Sequence, residues 1–186
     1  MDIFISLGVE LGKREVWGGT KYRILVGHRR FEVTELEYSI YYLGQMGRYN
    51  VLTASEELNL DLELVRRTVE NLVEQGILIY WNNINKDFYR THSITARGSS
   101  SSKHKVRSVT FAVPSQLTQF TNELWVFSNP LISIDEVFIN MEYYLGYTYR
   151  TCCVETMLAI PSLIREGLIS LNPLTQEEES DYSELV

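Results

Sequence analysis

One segment near the N-terminus has glycines and a lysine spaced almost as in a phosphate-binding loop. Residues 8–14 read Gly-Val-Glu-Leu-Gly-Lys-Arg. A phosphate-binding loop has four residues between its glycines and a Ser or Thr after its lysine, and that hydroxyl binds Mg²⁺. Here three residues separate Gly8 from Gly12, and Arg14 follows Lys13. We therefore exclude this segment as a nucleotide site.

The residue types that carry most catalysis and metal binding occur without the spacing that such chemistry needs. The histidines, His28, His92 and His104, form no HxxxH or HExxH pair. No GxSxG motif is present, and the glutamates of residues 56–74 are spaced as on the solvent face of a helix. These patterns predict a protein that is not an enzyme and that has no metal site and no cofactor.

The two cysteines, Cys152 and Cys153, are adjacent in the sequence. Adjacent cysteines exclude both a CxxC zinc site and the disulfide framework of a secreted protein. Because Val154 and Met157 lie beside them on a predicted helix, we expect at least one to be buried as a small apolar residue. The chain also lacks a membrane-spanning apolar run and a basic signal region. The sequence predicts a cytoplasmic protein with no membrane partner.

Charge is distributed unevenly along the chain. Residues 1–112 contain 15 Lys and Arg against 13 Asp and Glu, whereas residues 113–186 contain 2 against 11. Basic residues concentrate in 13–30 and 90–107, and the second stretch contains no acid. Two interpretations stay open here: a surface for a polyanion, or a solvated hairpin followed by a flexible linker. Five acids in the last ten residues predict a solvated tail.

The elements that position these residues begin with strands and one helix. Alternating apolar and polar residues in 15–33 predict two or three short antiparallel strands. Residues 34–37 read Thr-Glu-Leu-Glu, which is a capping-box pattern. Leu36, Ile40 and Leu43 then recur at helical spacing, so we expect a first helix to begin at this point.

Two further helices and a hairpin are predicted next. Thr53 is expected to cap a helix of about two turns. Asp61 is expected to cap a third helix, and Gly76 supplies the left-handed residue that ends it. After Gly76 the apolar period falls to two, and residues 77–81 and 87–92 predict the strands of a β-hairpin.

This order of short helix, longer helix and hairpin resembles the winged helix-turn-helix family. Residues 53–58 and 61–75 match the two helices of the helix-turn-helix. Residues 76–79 match the glycine-led strand entry, and residues 80–92 match the hairpin wing. The resemblance implies a three-helix core that clamps the short helix and holds one face of the third helix exposed.

A weak internal repeat indicates a second unit of the same kind. The segment beginning at Ser133 resembles the segment beginning at Thr53 at an offset of 80 residues. Gly167 resembles Gly76 at an offset of 91, which predicts an insertion of 11 residues between the second and third helices of the second copy. Pro161 lies in that third helix and is expected to kink or divide it.

The predicted fold class is therefore α+β, with two tandem winged-helix-like units that have short antiparallel strands. Residues 1–97 form the first unit, with leading β-strands and a hairpin wing. Residues 98–105 form a Ser-rich linker, residues 106–174 form an acidic second unit, and residues 175–186 form an acidic flexible tail.

In the winged-helix family the third helix enters the major groove of DNA and the wing contacts flanking phosphates. The resemblance implies DNA binding by the first unit. The predicted DNA-binding residues are Arg66, Arg67 and Asn71 on the helix and Lys86 and Arg90 on the wing. Asp61 and Glu63 oppose this prediction, because phosphates repel them unless they cap the helix or contact cytosine.

The second unit is acidic and rich in aromatic residues between residues 125 and 149. Large aromatic side chains favour protein contacts, and most of them are expected in the core. The candidate partner-binding residues, which we expect to be exposed, are Tyr143, Tyr147 and Tyr149. The second unit is therefore predicted to serve homodimerisation or partner binding.

Two functions are compatible with this organisation. The first is a transcriptional regulator that binds DNA through its first unit. The alternative is an adaptor that binds a protein or peptide and not DNA, as do tandem winged helices of chromosome-organising complexes and the recognition elements of peptide-modifying systems. Basic stretches on the exposed face of residues 61–75 favour DNA, whereas an acidic or covered face favours the adaptor.

Overall fold

The structure is a computed structural model that describes residues 2–17, 19–97 and 118–174. These ranges form a mixed α+β fold with small antiparallel sheets, which confirms the predicted fold class at that level. The strands are Phe4–Ser6 (β1), Val9–Val16 (β2), Gly19–Val26 (β3), Arg29–Val33 (β4), Leu78–Tyr80 (β5), His92–Ala96 (β6) and Ile169–Pro173 (β7). The helices are Glu35–Gln45 (α1), Val51–Leu58 (α2), Leu62–Glu74 (α3), Lys86–Thr91 (α4), Gln119–Phe127 (α5), Ile134–Leu145 (α6) and Tyr149–Arg165 (α7).

The Ser-rich linker and the acidic tail predicted from the sequence lie outside the described residues. In the part of the chain that the structure covers, no helix is both long and apolar enough to cross a membrane.

The strands predicted in residues 15–33 are confirmed as part of an antiparallel meander in the order β2-β3-β4, although β2 begins earlier than predicted, at Val9. One face of this sheet packs on α1, where the ring of Tyr22 stacks on Tyr38 with centroids 4.1 Å apart. Ile24 and Val33 on the same face are buried. The alternation that predicted the strands therefore also fixes which face turns inward.

Helix α1 begins at the predicted capping box. The side chain of Thr34 accepts the N–H of Glu37, and the carboxylate of Glu37 accepts the N–H of Thr34 at 2.7 Å. Two backbone donors at the helix end are thereby satisfied. Ile40 and Leu43 are buried, which confirms the predicted apolar face.

Helix α2 begins earlier than predicted, with Asn50 and not Thr53 as its N-cap. The side chain of Asn50 accepts the N–H of Thr53 at 3.0 Å, and the Thr53 hydroxyl accepts the N–H of Asn50 at 3.0 Å. Thr53 is therefore the third residue of the helix and forms a capping box with Asn50. The preference of threonine for the cap position itself led to the wrong prediction. The prediction for α3 is confirmed, because Asp61 accepts the N–H groups of Glu63 and Leu64.

The first strand predicted in residues 77–81 is confirmed as β5, but the predicted hairpin wing is wrong, because β5 pairs with β1 and residues 86–91 are helical. After β5 the chain makes a 3-10 turn, and the side chain of Asn85 caps α4 by accepting the N–H of Phe88 at 3.1 Å. Phe88 and Tyr89 are both buried in this helix. Phe88 packs edge-on against Trp81, and Tyr89 packs edge-on against Phe138. Adjacent buried residues fit a helix and not a strand with one exposed face, so the apparent period of two was misleading.

Strand β6 follows α4 and pairs with β7 near the other end of the described chain. Ile94 lies opposite Leu171 in this antiparallel pair, and both side chains are fully buried. Residues 92–96, placed in the first unit from sequence, thus complete a sheet with the strand that follows α7.

The order of helix, helix, helix and strand occurs twice. Helices α1 to α3 are followed by β5, and helices α5 to α7 are followed by β7. Both third helices end in the same way: Gly76 and Gly167 have φ of 74° and 68°, and the next N–H bonds back to Leu72 or Leu163 at 2.9 Å. Each final strand pairs with a strand from earlier in the chain, β1 for β5 and β6 for β7.

Helix α7 runs through Pro161 without a break. A proline at this position has no N–H for the carbonyl of Met157, four residues earlier. The indole N–H of Trp81 donates to that carbonyl at 2.9 Å. Division of the helix, one of the two predicted outcomes, therefore does not occur. A side chain from the first half of the described chain, residues 2–97, satisfies the freed acceptor in the second half, residues 118–174.

Other contacts join the two halves at the backbone. The N–H of Gly8 donates to the carbonyl of Leu171 at 2.7 Å. Gly47 lies so close to Pro161 that an added Cβ would clash with its carbonyl. The two halves thus share one continuous packed region.

Candidate functional site

The two arginines predicted to contact DNA lie on α3 and are both paired with one carboxylate. Arg66 Nη1 lies 3.3 Å from Glu63 Oε2, and Arg67 Nε lies 3.3 Å from Glu63 Oε1. These side chains are 49% and 77% exposed, so the pairs are solvated and contribute little to stability. Asn71, the third candidate, accepts a hydrogen bond from the side chain of Gln75 at 3.1 Å.

The exposed face of α3 carries more negative than positive charge. Including its N-cap, the helix contains four acids, Asp61, Glu63, Glu70 and Glu74, against two arginines. Asp61 and Glu63 lie at its N-terminal end, which winged-helix proteins present to DNA. Its excess of negative charge disfavours contact with phosphates.

Lys86 and Arg90 lie on α4 and not on a wing. Arg90 Nε lies 3.8 Å from Asp135 Oδ2 on α6. Lys86 Nζ lies 5.4 Å from the ring centroid of Tyr149 on α7, within cation–π range. The hydroxyl of Tyr149 donates to Asp135 Oδ1 at 2.5 Å. Both cations are therefore turned toward the second half of the chain.

Of the three tyrosines predicted to be exposed, Tyr143 alone is, at 80%. The expected exposure of Tyr147 and Tyr149 is wrong, because both are half-buried with bonded hydroxyls. Tyr147 donates to Glu123 at 2.6 Å, and this bond raises the pKa of Tyr147 to about 12. Burial, followed by the bond to Asp135, raises the pKa of Tyr149.

Among the described residues, a set of cations without carboxylate partners lies on the outer face of the β2–β4 sheet. Opposite residues in an antiparallel pair share a face, and the register pairs Arg14 with Lys21, Arg23 with Glu32 and Leu25 with Arg30. We call this surface the basic face; it consists of Arg14, Lys21, Arg23, Glu32 and Arg30. Four cations stand against one acid.

Electrostatic pairing within the described ranges leaves the basic face free. The four ion pairs there involve residues of α3, α4, α6 and α7 and none from the sheet. The Nε atom of Arg23 is buried without a hydrogen-bond partner. Sequence analysis found the concentration of basic residues in 13–30, but only strand register shows that alternate ones share a face.

The sheet also ends in an open edge. Strand β4 pairs with β3 on one side, and no strand in the described ranges pairs with its other side. Arg29 and Arg30 on β4 are exposed, and the guanidinium of Arg29 lies 5.0 Å from the ring centroid of Phe31. An unpaired edge presents N–H and C=O groups to which an extended segment can add.

A cavity of about 180 Å³ lies where the two halves meet. Its lining includes Arg97 and Arg165 together with the side chains of Ser6, Gln45 and Ser170. Arg165 Nε lies 3.8 Å from a carboxylate oxygen of Glu166. The cavity is smaller than the usual 300–1,000 Å³ of ligand sites.

The cysteines behave as the sequence predicts. Cys152 is fully buried, and burial is the main cause that raises the pKa of its thiol to about 11. A thiol in that range is a weak nucleophile at neutral pH. Among the described residues, no group of three or more His, Cys, Asp or Glu is placed to hold a metal ion.

The chain matches no protein-family model, no curated protein and no solved structure.

Proposed function

We propose that this protein is a tandem winged-helix adaptor that binds an extended, acidic segment of a partner protein through the basic face and the open edge of β4. Support for the fold assignment is the repeated order of three helices and a strand, with the same glycine turn after each third helix. Helix α4 occupies the place of the hairpin wing in the first unit.

The separation of charge carries the functional proposal. DNA binding by the family's route needs a basic third helix, but α3 has four acids against two arginines, and both arginines contact Glu63. Lys86 and Arg90 are held by α6 and α7. Among the described residues, a cluster of four cations without ion-pair partners lies instead on the outer face of the sheet.

The geometry of the sheet favours an extended peptide as the ligand. A peptide that adds to β4 gains main-chain hydrogen bonds along five residues, Arg29–Val33. Alternate side chains of an added strand point to the same face of the sheet. Acidic residues at alternate positions would therefore lie nearest to Arg30 on β4, with Arg23 on the next strand.

The test compares two full-length variants in which two charges are reversed. Arg23→Glu/Arg30→Glu alters the basic face, and Arg66→Glu/Arg67→Glu alters α3 as the matched control. The probe is a fluorescein-labelled peptide of twelve residues that alternates Glu and Val, followed by anisotropy. We expect the sheet variant to lose about tenfold or more in affinity and the α3 variant less than about twofold.

Duplex DNA of mixed sequence, measured at about 50 and 200 mM salt, provides the opposing test. DNA binding that weakens steeply with salt, is lost in the α3 variant and persists in the sheet variant would overturn the adaptor proposal. That result would assign the protein as a DNA-binding regulator. Equal peptide affinity in both variants would also contradict the proposal.

A further inference from the structure

The last residues described before the acidic segment 175–186 lie against the turn that leads into β4. Strand β7 ends at Pro173, which packs against Gly27 in the turn between β3 and β4, since an added Cβ there would lie 3.4 Å from the proline. The side chain of Asn172 accepts the N–H of Gly27 at 3.4 Å. The turn leads directly into Arg29 and the rest of β4.

The charges of the segment and of the basic face are complementary. Residues 175–186 contain five acids and no basic residue. The acids are Glu177, Glu178, Glu179, Asp181 and Glu184. The basic face contains four cations and one acid. None of these cations has an ion-pair partner in the described structure.

The segment is long enough to cover that face. An extended chain rises about 3.3 Å per residue, so Glu177 lies up to roughly 10 Å beyond Leu174 and Asp181 up to roughly 23 Å. The path along β3 from Gly27 to Lys21 covers six residues, or about 20 Å. Acids between residues 177 and 181 thus reach every row of the basic face without full extension.

We propose that residues 175–186 bind the basic face of the same molecule and compete with the partner segment. The competition rests on the proposed function, whereas the intramolecular contact rests on the position and charge of the segment alone. A short tether gives a segment an effective concentration in the millimolar range. An acidic partner must therefore displace the segment, and its apparent affinity is reduced in the intact chain.

Zero-length carbodiimide crosslinking of the intact protein tests the contact directly. The reagent joins a carboxylate to a lysine amine as an amide, with loss of water, when the two groups touch. In the monomeric fraction we expect links from residues 177–181 to Lys21, detected by mass spectrometry of proteolytic peptides. The Arg23→Glu/Arg30→Glu variant should lose most of these links.

Lys86 is the control lysine for this experiment. It lies on α4, and the last residue of that helix, Thr91, accepts the N–H of Leu174 at 2.7 Å. Lys86 is five residues from Thr91 along the helix, or about 8 Å, whereas Lys21 is about 20 Å from Gly27, so an undocked segment reaches Lys86 at least as readily. Links to both lysines at similar frequency would overturn the proposal, and links dominated by Lys21 support it.

A full-length variant with the segment neutralised tests the competition. In Glu177→Gln/Glu178→Gln/Glu179→Gln/Asp181→Asn, the affinity for the Glu-Val peptide should rise by about tenfold at 50 mM salt. Unchanged peptide affinity would overturn the competition. If the Lys21 links form but neither chain binds the peptide, the contact is supported and the proposed adaptor function fails, so the two failures are distinguishable.

Discussion

At the scale of single residues, Trp81 and Pro161 form a matched pair across the two halves of the chain. Pro161 leaves the carbonyl of Met157 without its helical donor, and the indole of Trp81 supplies one at 2.9 Å. Trp81 is 2% exposed, so water does not replace this bond. A buried acceptor left without a partner costs about 1–3 kcal/mol.

Replacing Trp81 by Phe should therefore lower the free energy of unfolding by about 2 kcal/mol beyond the loss from repacking. In a Pro161→Ala background that excess should largely vanish, because the restored N–H of residue 161 can donate to Met157. Urea denaturation of both single variants and the double variant measures the coupling. An equal cost of Trp81→Phe in both backgrounds would contradict the proposed pairing.

His92 gives the protein a pH-dependent stability. Its ring stacks on Phe88 at 4.0 Å, and burial lowers the pKa of His92 to about 4. An unfolded histidine has a pKa near 6.5, so below that pH the unfolded state binds a proton that the folded state excludes. This contribution to stability is complete above about pH 6.5 and is lost as the pH falls toward 4.

We expect the wild-type free energy of unfolding to fall by about 2–3 kcal/mol more than that of His92→Phe between pH 7 and pH 4.5. Phenylalanine keeps the stacking on Phe88 and removes the titrating group. His28→Phe, in the exposed turn after β3, controls for the loss of a histidine. Parallel pH profiles of wild type and His92→Phe would refute this assignment.

At the scale of elements, the local sequence predicted where helices begin and end better than it predicted whether the residues around Phe88 form a strand or a helix. The caps at Thr34 and Asp61 were predicted correctly because a cap acts within three residues. Helix α4 was missed because its stability depends on burying Phe88 and Tyr89 against Trp81 and Phe138. Both partners lie outside α4: Trp81 is in the 3-10 turn before it, and Phe138 is on α6.

The cap of α2 provides a prediction at this scale. Asn50→Ala should lower the free energy of unfolding by about 1 kcal/mol, because the N–H of Thr53 loses its acceptor. Glu57→Ala, exposed on the same helix, should change it by less than about 0.5 kcal/mol. Thermal unfolding followed by far-UV circular dichroism compares the two. A larger loss in Glu57→Ala than in Asn50→Ala would contradict this capping arrangement.

At the scale of the whole molecule, the two halves are joined by backbone pairing and by buried side chains. Strand β6 pairs with β7, and Gly8 donates to Leu171. Trp81 and Gly47 contact α7. Contacts of this kind couple the stability of the halves, since unfolding one exposes buried groups of the other.

Unfolding should therefore occur in a single transition. Leu171 is fully buried where both halves meet, and Leu171→Ala should destabilise the protein by about 2–5 kcal/mol. Near-UV and far-UV circular dichroism should report the same midpoint in wild type and variant. Two separated transitions, of which Leu171→Ala shifts one alone, would show that the halves unfold independently.

The candidate site was partly predictable at the residue level. Sequence located the basic stretch 13–30 and the acids that oppose DNA binding at Asp61 and Glu63. It assigned the site to Arg66 and Arg67, although their spacing of three and four residues from Glu63 already favours the two ion pairs that the structure shows. The basic face required strand register, which joins Arg14 to Lys21 and Arg30 to Leu25.

The sequence by itself determined the features that act over a few residues: the α+β class, strands β3 and β4, the caps at Thr34 and Asp61 and the end of α3 at Gly76. The tertiary structure alone decided the pairing of β6 with β7, the helical state of residues 86–91 and the composition of the basic face. Caps and periodicity depend on neighbours in the chain, and sequence displays them directly. Strand pairing and ion pairing join residues up to about 80 positions apart, and folding alone brings those together.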